Sequence, residues 1–190
     1  IDTSSGDVYD LAAHLLIKTS SPDCRIHYVD SLTAFVPLQG GALMPVTLVS
    51  WYGAGSFAAY YNLRLPTDAE WEKAARGIAD VFGNRFGIGY GFPYPWGDAE
   101  PTPLLANFGK GPNTGAPQPV TSYPQGMSWY GALNLAGNVM EWTATTVGST
   151  RIVRGGSYSS PAADLRPGMR FYYDPGATFA SYGFRCVADP

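Results

Sequence analysis

The sequence predicts an α+β fold with much irregular structure, and three observations carry that reading. A complete helix-capping signature stands at Thr67 to Glu70, and short runs of β-branched and aromatic residues recur late in the chain. Between them, Ile78 to Leu133 is rich in Gly, Pro and aromatic residues and has no hydrophobic period. With 45% apolar residues, 14% charged residues, 23 Gly and 16 Pro among 190 residues, the composition suits a packed, loop-rich single domain. A helical bundle or a disordered chain would need a different balance. The single domain, 1–190, divides into an N-terminal part (1–44), a scaffold (45–150) and a C-terminal segment (151–187).

In chain order, Val8, Leu11, Leu15 and Leu16 fall at helical spacing, with Asp7 before them and Lys18 after, and predict a short amphipathic helix over 8–18. Ile26 to Val29 and Leu32 to Val36 read as short strands closed by Pro37 and the Gly40-Gly41 turn. Ser50 to Tyr61 mixes helix formers with small residues and predicts a helix with a close-packed face. The next helix runs from about 68 to 76. Thr67 and Glu70 form its capping box, acidic residues crowd its first turn, Lys73 and Arg76 follow, and Gly77 offers the stop. Trp71, Ala74 and Ala75 share its inward side. The loop that follows is too long to stand without internal supports. Strand-like segments return at Asn134 to Trp142, Arg151 to Ser157, Met169 to Tyr173 and Gly183 to Ala188, enough for a small antiparallel sheet.

Net charge is −3 and the basic residues are scattered, which argues against nucleic acid as a partner. Apolar runs are broken well before the roughly 18 residues a membrane span needs. From Ile1 onward no signal-peptide pattern is visible. Cys24 and Cys186 lack metal-type spacing; they read first as buried thiols, with a disulfide between them as the alternative. Asp98 and Glu100 read as a solvated loop face, not as a catalytic pair. Gly87 to Gly91 is no dinucleotide fingerprint, and Gly53 to Ser56 no nucleophile elbow. Trp129 and Tyr130 are the scaffold aromatics best placed to border a binding face.

Within Arg151 to Val187, Arg154-Gly155-Gly156-Ser157 and Gly183-Phe184-Arg185 frame a run of aromatic and small polar residues without a hydrophobic period. Such a mixture is what an adaptable binding surface uses, since Tyr and Phe give contact area at low entropy cost and Ser and Asp give hydrogen bonds. Arg154, Arg166, Arg170 and Arg185 could hold the segment through backbone carbonyls, or could equally be exposed strand residues.

The words RLPTDAEWEKAARG (64–77), YPWGD (94–98), ANF (106–108), NLAGNVMEWT (134–143), RIVRGGSY (151–158) and GFRCV (183–187) together resemble the formylglycine-generating enzyme (sulfatase-modifying factor) family. The resemblance covers about residues 45–187 and implies a C-type-lectin-like fold. Its oxidase branch implies a copper-binding cysteine pair, whose positions here are held by Ser160 and Leu165. Its iron-dependent branch implies histidine ligands, whereas this chain has only His14 and His27, both outside the resembling core. No catalytic residue is assigned.

The chain is more similar to the variable proteins of diversity-generating retroelements, which carry a mutable segment between an RGGS word and a GFR word. In that system template adenines are randomised, so Asn codons give Tyr, Ser, Asp, Phe, Thr, Ala, Gly and others, but never Lys, Glu, Gln, Met or Trp. Tyr158, Ser159, Ser160, Ala162, Ala163, Asp164, Tyr172, Tyr173, Asp174, Ala177, Thr178, Phe179, Ala180, Ser181 and Tyr182 all belong to the permitted set. The resemblance implies that these are ligand-binding residues facing a protein or glycan target, at a cell surface or on a virus particle. The alternatives are an oxidoreductase of the enzyme branch and a structural accessory domain.

No cofactor is required by this reading, but the resemblance implies a calcium site at Asn134, Gly137, Val139 and Glu141, with side-chain oxygens from the first and last and carbonyls from the other two. The same residues could simply hydrogen-bond their loop. A second site at Asn107 and Phe108 lacks the aspartate expected before Pro117.

Overall fold

The computed structural model describes residues 6–29, 34–77, 92–111 and 113–189. Its centre is a four-stranded sheet ordered β7-β6-β5-β8, made of β5 (Met140–Val147), β6 (Thr150–Arg154), β7 (Phe171–Tyr173) and β8 (Tyr182–Phe184). β5, β6 and β7 pair antiparallel, whereas β8 runs parallel to β5 with Glu141 opposite Gly183. The expected all-antiparallel sheet therefore has one parallel edge. Trp142 lies at the centre of its core with Val49, Ala54, Leu65, Met140, Val153 and Tyr182, and donates its indole N–H to the Val49 carbonyl at 3.0 Å.

Two helices pack against this sheet. The first, α1 (Trp51–Tyr60), is capped by Ser50, whose hydroxyl accepts from Gly53 N–H at 3.1 Å and donates to the Leu15 carbonyl. A side chain at Gly53 would collide with the Leu16 carbonyl, so glycine is what lets α1 rest on the N-terminal strand. The second, α2 (Asp68–Arg76), begins with the expected capping box and ends at Gly77 with φ 70°. It buries Trp71 and Ala75 against Leu135, with Ala74 partly buried beside them.

Among its described residues the N-terminal part holds no helix. β1 (Val8–Tyr9) and β2 (Leu15–Ile17) form a hairpin whose turn is organised by Asp10. Asp10 Oδ1 accepts from the backbone of Ala12 and His14, Oδ2 pairs with His14 Nδ1 at 2.8 Å, and Ala13 takes a left-handed φ of 62°. A short carboxylate competing for nearby N–H groups defeats the helical period, and Leu11, assigned to its apolar face, is 98% exposed. β3 (Ile26–Val29) and β4 (Ala34–Pro37), close to the two short strands expected here, pair antiparallel. Leu32, which the sequence assigns to the second of these strands, lies outside the described residues, as do Gly87 to Gly91.

Residues 134–139, expected as strand, are a loop. Asn134, Gly137 and Asn138 all have positive φ, at 57°, 76° and 65°, which no strand accommodates. The described part of the long irregular stretch, from Phe92 onward, is well supported. Asn138 accepts from Gln118 N–H at 2.8 Å and donates back to the Gln118 carbonyl at 3.1 Å, while Asn107 donates to Ala116 and Asn138. Tyr94 stacks on Trp96, and Tyr94, Ala106, Ala136 and Leu165 form a separate small core.

Candidate functional site

The frame of the C-terminal segment is buried and bonded. Arg154, fully inaccessible on β6, pairs with Asp68 at 2.9 Å and Glu72 at 2.5 Å on α2, donates to the Met169 carbonyl, and lies over the Trp71 ring. Burial pulls its pKa below the usual guanidinium value, and Arg170 adds repulsion, while the two carboxylates oppose both effects. Arg170 joins the same carboxylates at 2.9 and 2.6 Å and donates to the Gly168 carbonyl. Arg185 donates to the Leu133 carbonyl and to both oxygens of Glu141, whose Oε2 also accepts from the Trp71 indole at 2.7 Å. Arg166 instead stays exposed beside Tyr94. Sequence reasoning foresaw the carbonyls for three of these arginines but not the carboxylates. The clue was the acidic start of α2, where Asp68 and Glu72 serve Arg154 and Arg170 while Asp68 and Glu70 suit the helix dipole.

The candidate ligand-binding residues do not form one uniform exposed surface. Tyr172 (51% exposed), Phe179 (44%) and Asp174 project to solvent, with Tyr173, Ala177, Thr178, Ala180 and Ser181 partly covered. Tyr173, Phe179 and Tyr182 gather with ring centroids 4.5 to 6.0 Å apart. Tyr182 itself is buried against Trp142, and that burial, before its hydrogen bond to Tyr173, raises its phenol pKa. Tyr158 and Ser160 are also buried, so three of the residues expected to face a target, Tyr158, Ser160 and Tyr182, are covered by the fold. Ser157, Ser159 and Ser160 link their hydroxyls, and the carbonyls of Tyr158 and Ser160 accept from Lys110 and Gly109. Ala162, Ala163 and Asp164 occupy a 3₁₀ turn, with Ala163 exposed and the other two partly covered. Tyr158 and Ala180 come together on one pocket, which also takes in Asp23 and Arg25 from the N-terminal part. Those last two are residues the sequence does not single out.

At the implied calcium site, Asn134 donates its amide to the Val120 carbonyl at 2.8 Å, which fixes the orientation of the amide. Its Oδ1 is thereby turned inward, buried and without a hydrogen-bond partner among the described residues. An orphaned buried oxygen suits a ligand that meets a cation. Glu141 already balances Arg185, so an ion there would share its carboxylate. The Oδ1 of Asn107 is likewise buried and unpartnered among the described residues.

At the positions of the enzyme branch's cysteine pair, Ser160 is hydrogen-bonded to the Ser157 backbone and Leu165 is fully buried against Tyr94, Ala106 and Ala136. His14 stacks on Tyr52 at 4.1 Å, and His27 is exposed on β3. Cys24 is buried and Cys186 half-buried, both as free thiols whose pKa burial raises. Asp98 and Glu100 are exposed, Glu100 accepting from the Tyr94 hydroxyl. Trp129 and Tyr130 are about half exposed, Trp129 lying against Gly77 at the end of α2. Among the described residues, no helix is long and apolar enough to cross a membrane.

Comparison with known proteins agrees with this architecture. The family model of the sulfatase-modifying factor enzyme 1-like domain matches residues 25–190. The serine/threonine-protein kinase Pkn1 of Chlamydia trachomatis is 36% identical over 170 residues, covering 79% of this chain and 25% of the kinase. Hercynine oxygenase of Mycolicibacterium smegmatis is 34% identical over 155 residues, covering 69% of this chain and 34% of the oxygenase. The chain thus spans about a quarter to a third of the length of these curated relatives. Among solved structures, Treponema denticola variable protein 1 superposes with a TM-score of 0.59 at 22% identity, over 79% of this chain and 73% of that one. At that identity the likeness shows the fold alone, which is α+β and C-type-lectin-like.

Proposed function

The chain belongs to the sulfatase-modifying factor enzyme 1-like family, and from that premise we propose that it is a non-enzymatic ligand-binding protein whose C-terminal segment displays a diversified surface, as in the variable proteins of diversity-generating retroelements. One observation carries the reading: within 151–187 the frame and the tips are physically separate. Arg154, Gly155, Gly156 and Ser157 are buried and bonded, while Tyr172, Asp174 and Phe179 reach solvent from backbone fixed at both ends. Exchange at the tips then changes contacts without disturbing the fold.

Ser160 and Leu165, in place of the cysteine pair that the oxidase branch uses, support the non-enzymatic side of the proposal. The target is a protein or a glycan presented to this face. Calcium, held by Asn134, Gly137, Val139 and Glu141, would act as a structural ion that fixes the loop before β5.

The deciding experiment is to sequence the DNA flanking the gene. The expected result is a near-copy of the segment coding for 151–187, differing mainly at adenines, beside a reverse transcriptase gene. Absence of both, together with stoichiometric copper or iron and oxygen consumption with a thiol-bearing peptide, would establish an oxidoreductase instead.

A further inference from the structure

A cavity of about 290 Å³ opens where three parts of the chain meet. Asp23 and Arg25 come from the N-terminal part, Thr47 and Asn113 from the scaffold, and Tyr158 and Ala180 from opposite ends of the C-terminal segment. The parts are held in place independently of any ligand. Leu48 N–H donates to the Phe179 carbonyl at 3.1 Å, Lys110 N–H to the Tyr158 carbonyl at 2.8 Å, and Cys24 is buried with Leu48 in the N-terminal core.

The lining chemistry narrows what the cavity can accept. Its two charged residues, Asp23 and Arg25, have opposite sign and cancel, so neither an anionic nor a cationic group gains a net field there. Tyr158, Thr47 and Asn113 each offer a donor and an acceptor, Asp23 only acceptors and Arg25 only donors. Met44, Pro45 and Pro117 add apolar walls. Burial, with the nearby Asp23 carboxylate, raises the Tyr158 phenol pKa and keeps its hydroxyl protonated. A neutral group with many hydroxyls and an apolar ring face satisfies this lining; an aromatic anchor would leave its polar groups unpaired, and a singly charged one would set attraction to one of the two charged residues against repulsion from the other.

Resting on the ligand-binding reading above, we propose that this cavity is a subsite for a single neutral sugar ring. The fixed residues Asp23, Arg25, Thr47 and Asn113 supply hydrogen bonds, while positions 158 and 180 set depth and polarity. The subsite thus couples an unvarying wall to two exchangeable positions.

The test is saturation-transfer-difference NMR on the whole chain with the methyl glycosides of glucose, galactose, mannose and N-acetylglucosamine, and with acetate and butylammonium as charged probes. At least one glycoside should receive saturation and the charged probes none. Tyr158→Phe should weaken the response about tenfold through loss of one hydrogen-bonding hydroxyl. Ala180→Tyr should abolish it by filling the cavity, and Arg25→Met, at an exposed position, should weaken it even if the larger substitution impairs folding. Leu104→Ala, at an exposed scaffold position outside the cavity, should leave it unchanged. Silence from all four glycosides, saturation of a charged probe in their place, or an undiminished response in both Arg25→Met and a folded Ala180→Tyr would overturn the proposal. The flanking DNA tests the diversified-surface reading separately, so a failed subsite and a failed reading are distinguishable.

Discussion

Arg185 grips Glu141 with two parallel hydrogen bonds, Nε to Oε2 at 2.6 Å and Nη2 to Oε1 at 2.7 Å, tying the residue after β8 to the strand beside it. The Trp71 indole completes the carboxylate from α2, so a single acidic side chain fastens helix, inner strand and last strand. Glu141→Ala should cost about 3–5 kcal/mol, because it strands a largely covered guanidinium. Arg185→Lys loses the two-pronged geometry and should cost about 1–3 kcal/mol. Urea unfolding of both variants checks the pair.

The Arg154 cluster should be equally intolerant. Arg154→Met leaves Asp68 and Glu72 with only their more exposed partners, and about 3–5 kcal/mol of stability should be lost in thermal unfolding.

Solvent access separates the segment's positions into two classes. Substitutions at Tyr172, Asp174 and Phe179 should leave stability within about 0.5 kcal/mol of the parent. Tyr182→Ala should cost about 3–5 kcal/mol, since it opens a cavity against Trp142. Denaturant midpoints for a small library across these sites decide between the two classes.

Acid should release the Arg64 contact. The Arg64 guanidinium, ahead of the Thr67 backbone, holds the Glu70 carboxyl down to about 2 from its usual 4.5. A depressed folded-state pKa gives stability that is present above about pH 4.5 and lost as pH falls toward 2. Both side chains are more than a third exposed, so screening keeps this to about 1 kcal/mol or less. Glu70→Gln should flatten that part of the pH–stability curve.

Calcium should raise the melting temperature weakly and reversibly. With one carboxylate, already shared with Arg185, the affinity belongs near 10⁻³ M, so calcium at about ten times that value adds about 1.4 kcal/mol. Asn134→Ala should erase the difference between scans in calcium and in chelator.

The capping box of α2 was legible because every cue was local: Thr67, Glu70 and Gly77 do in the structure what their spacing announces. The N-terminal segment misled because Asp10 overrides a helical period with its own hydrogen bonds, and period alone does not register that competition. At 134–139 the clue was in view, since two asparagines flank a glycine that can each turn left-handed, yet the apolar residues between them read as strand. The C-terminal segment and its two framing words stood out by composition, but which positions between them the fold covers did not. Burial of Tyr158 involves Lys110 and Gly115, which only folding brings beside it. The cavity was beyond reach for the same reason, because Asp23 and Arg25 stand more than 130 positions from Tyr158 in the chain.

The parallel pairing of β8 with β5 carries a consequence for how the chain is made. Every other neighbour of β5 in the sheet emerges from the ribosome earlier, yet Trp142 cannot be fully enclosed until Tyr182 arrives and Arg185 engages Glu141. The nascent domain therefore keeps an open strand edge until its variable-type stretch has been translated, and contacts of such long sequence separation form slowly. Folding itself thereby tests any substitution in that stretch: a chain that fails to bring β8 home leaves an exposed edge for chaperones and proteases to recognise.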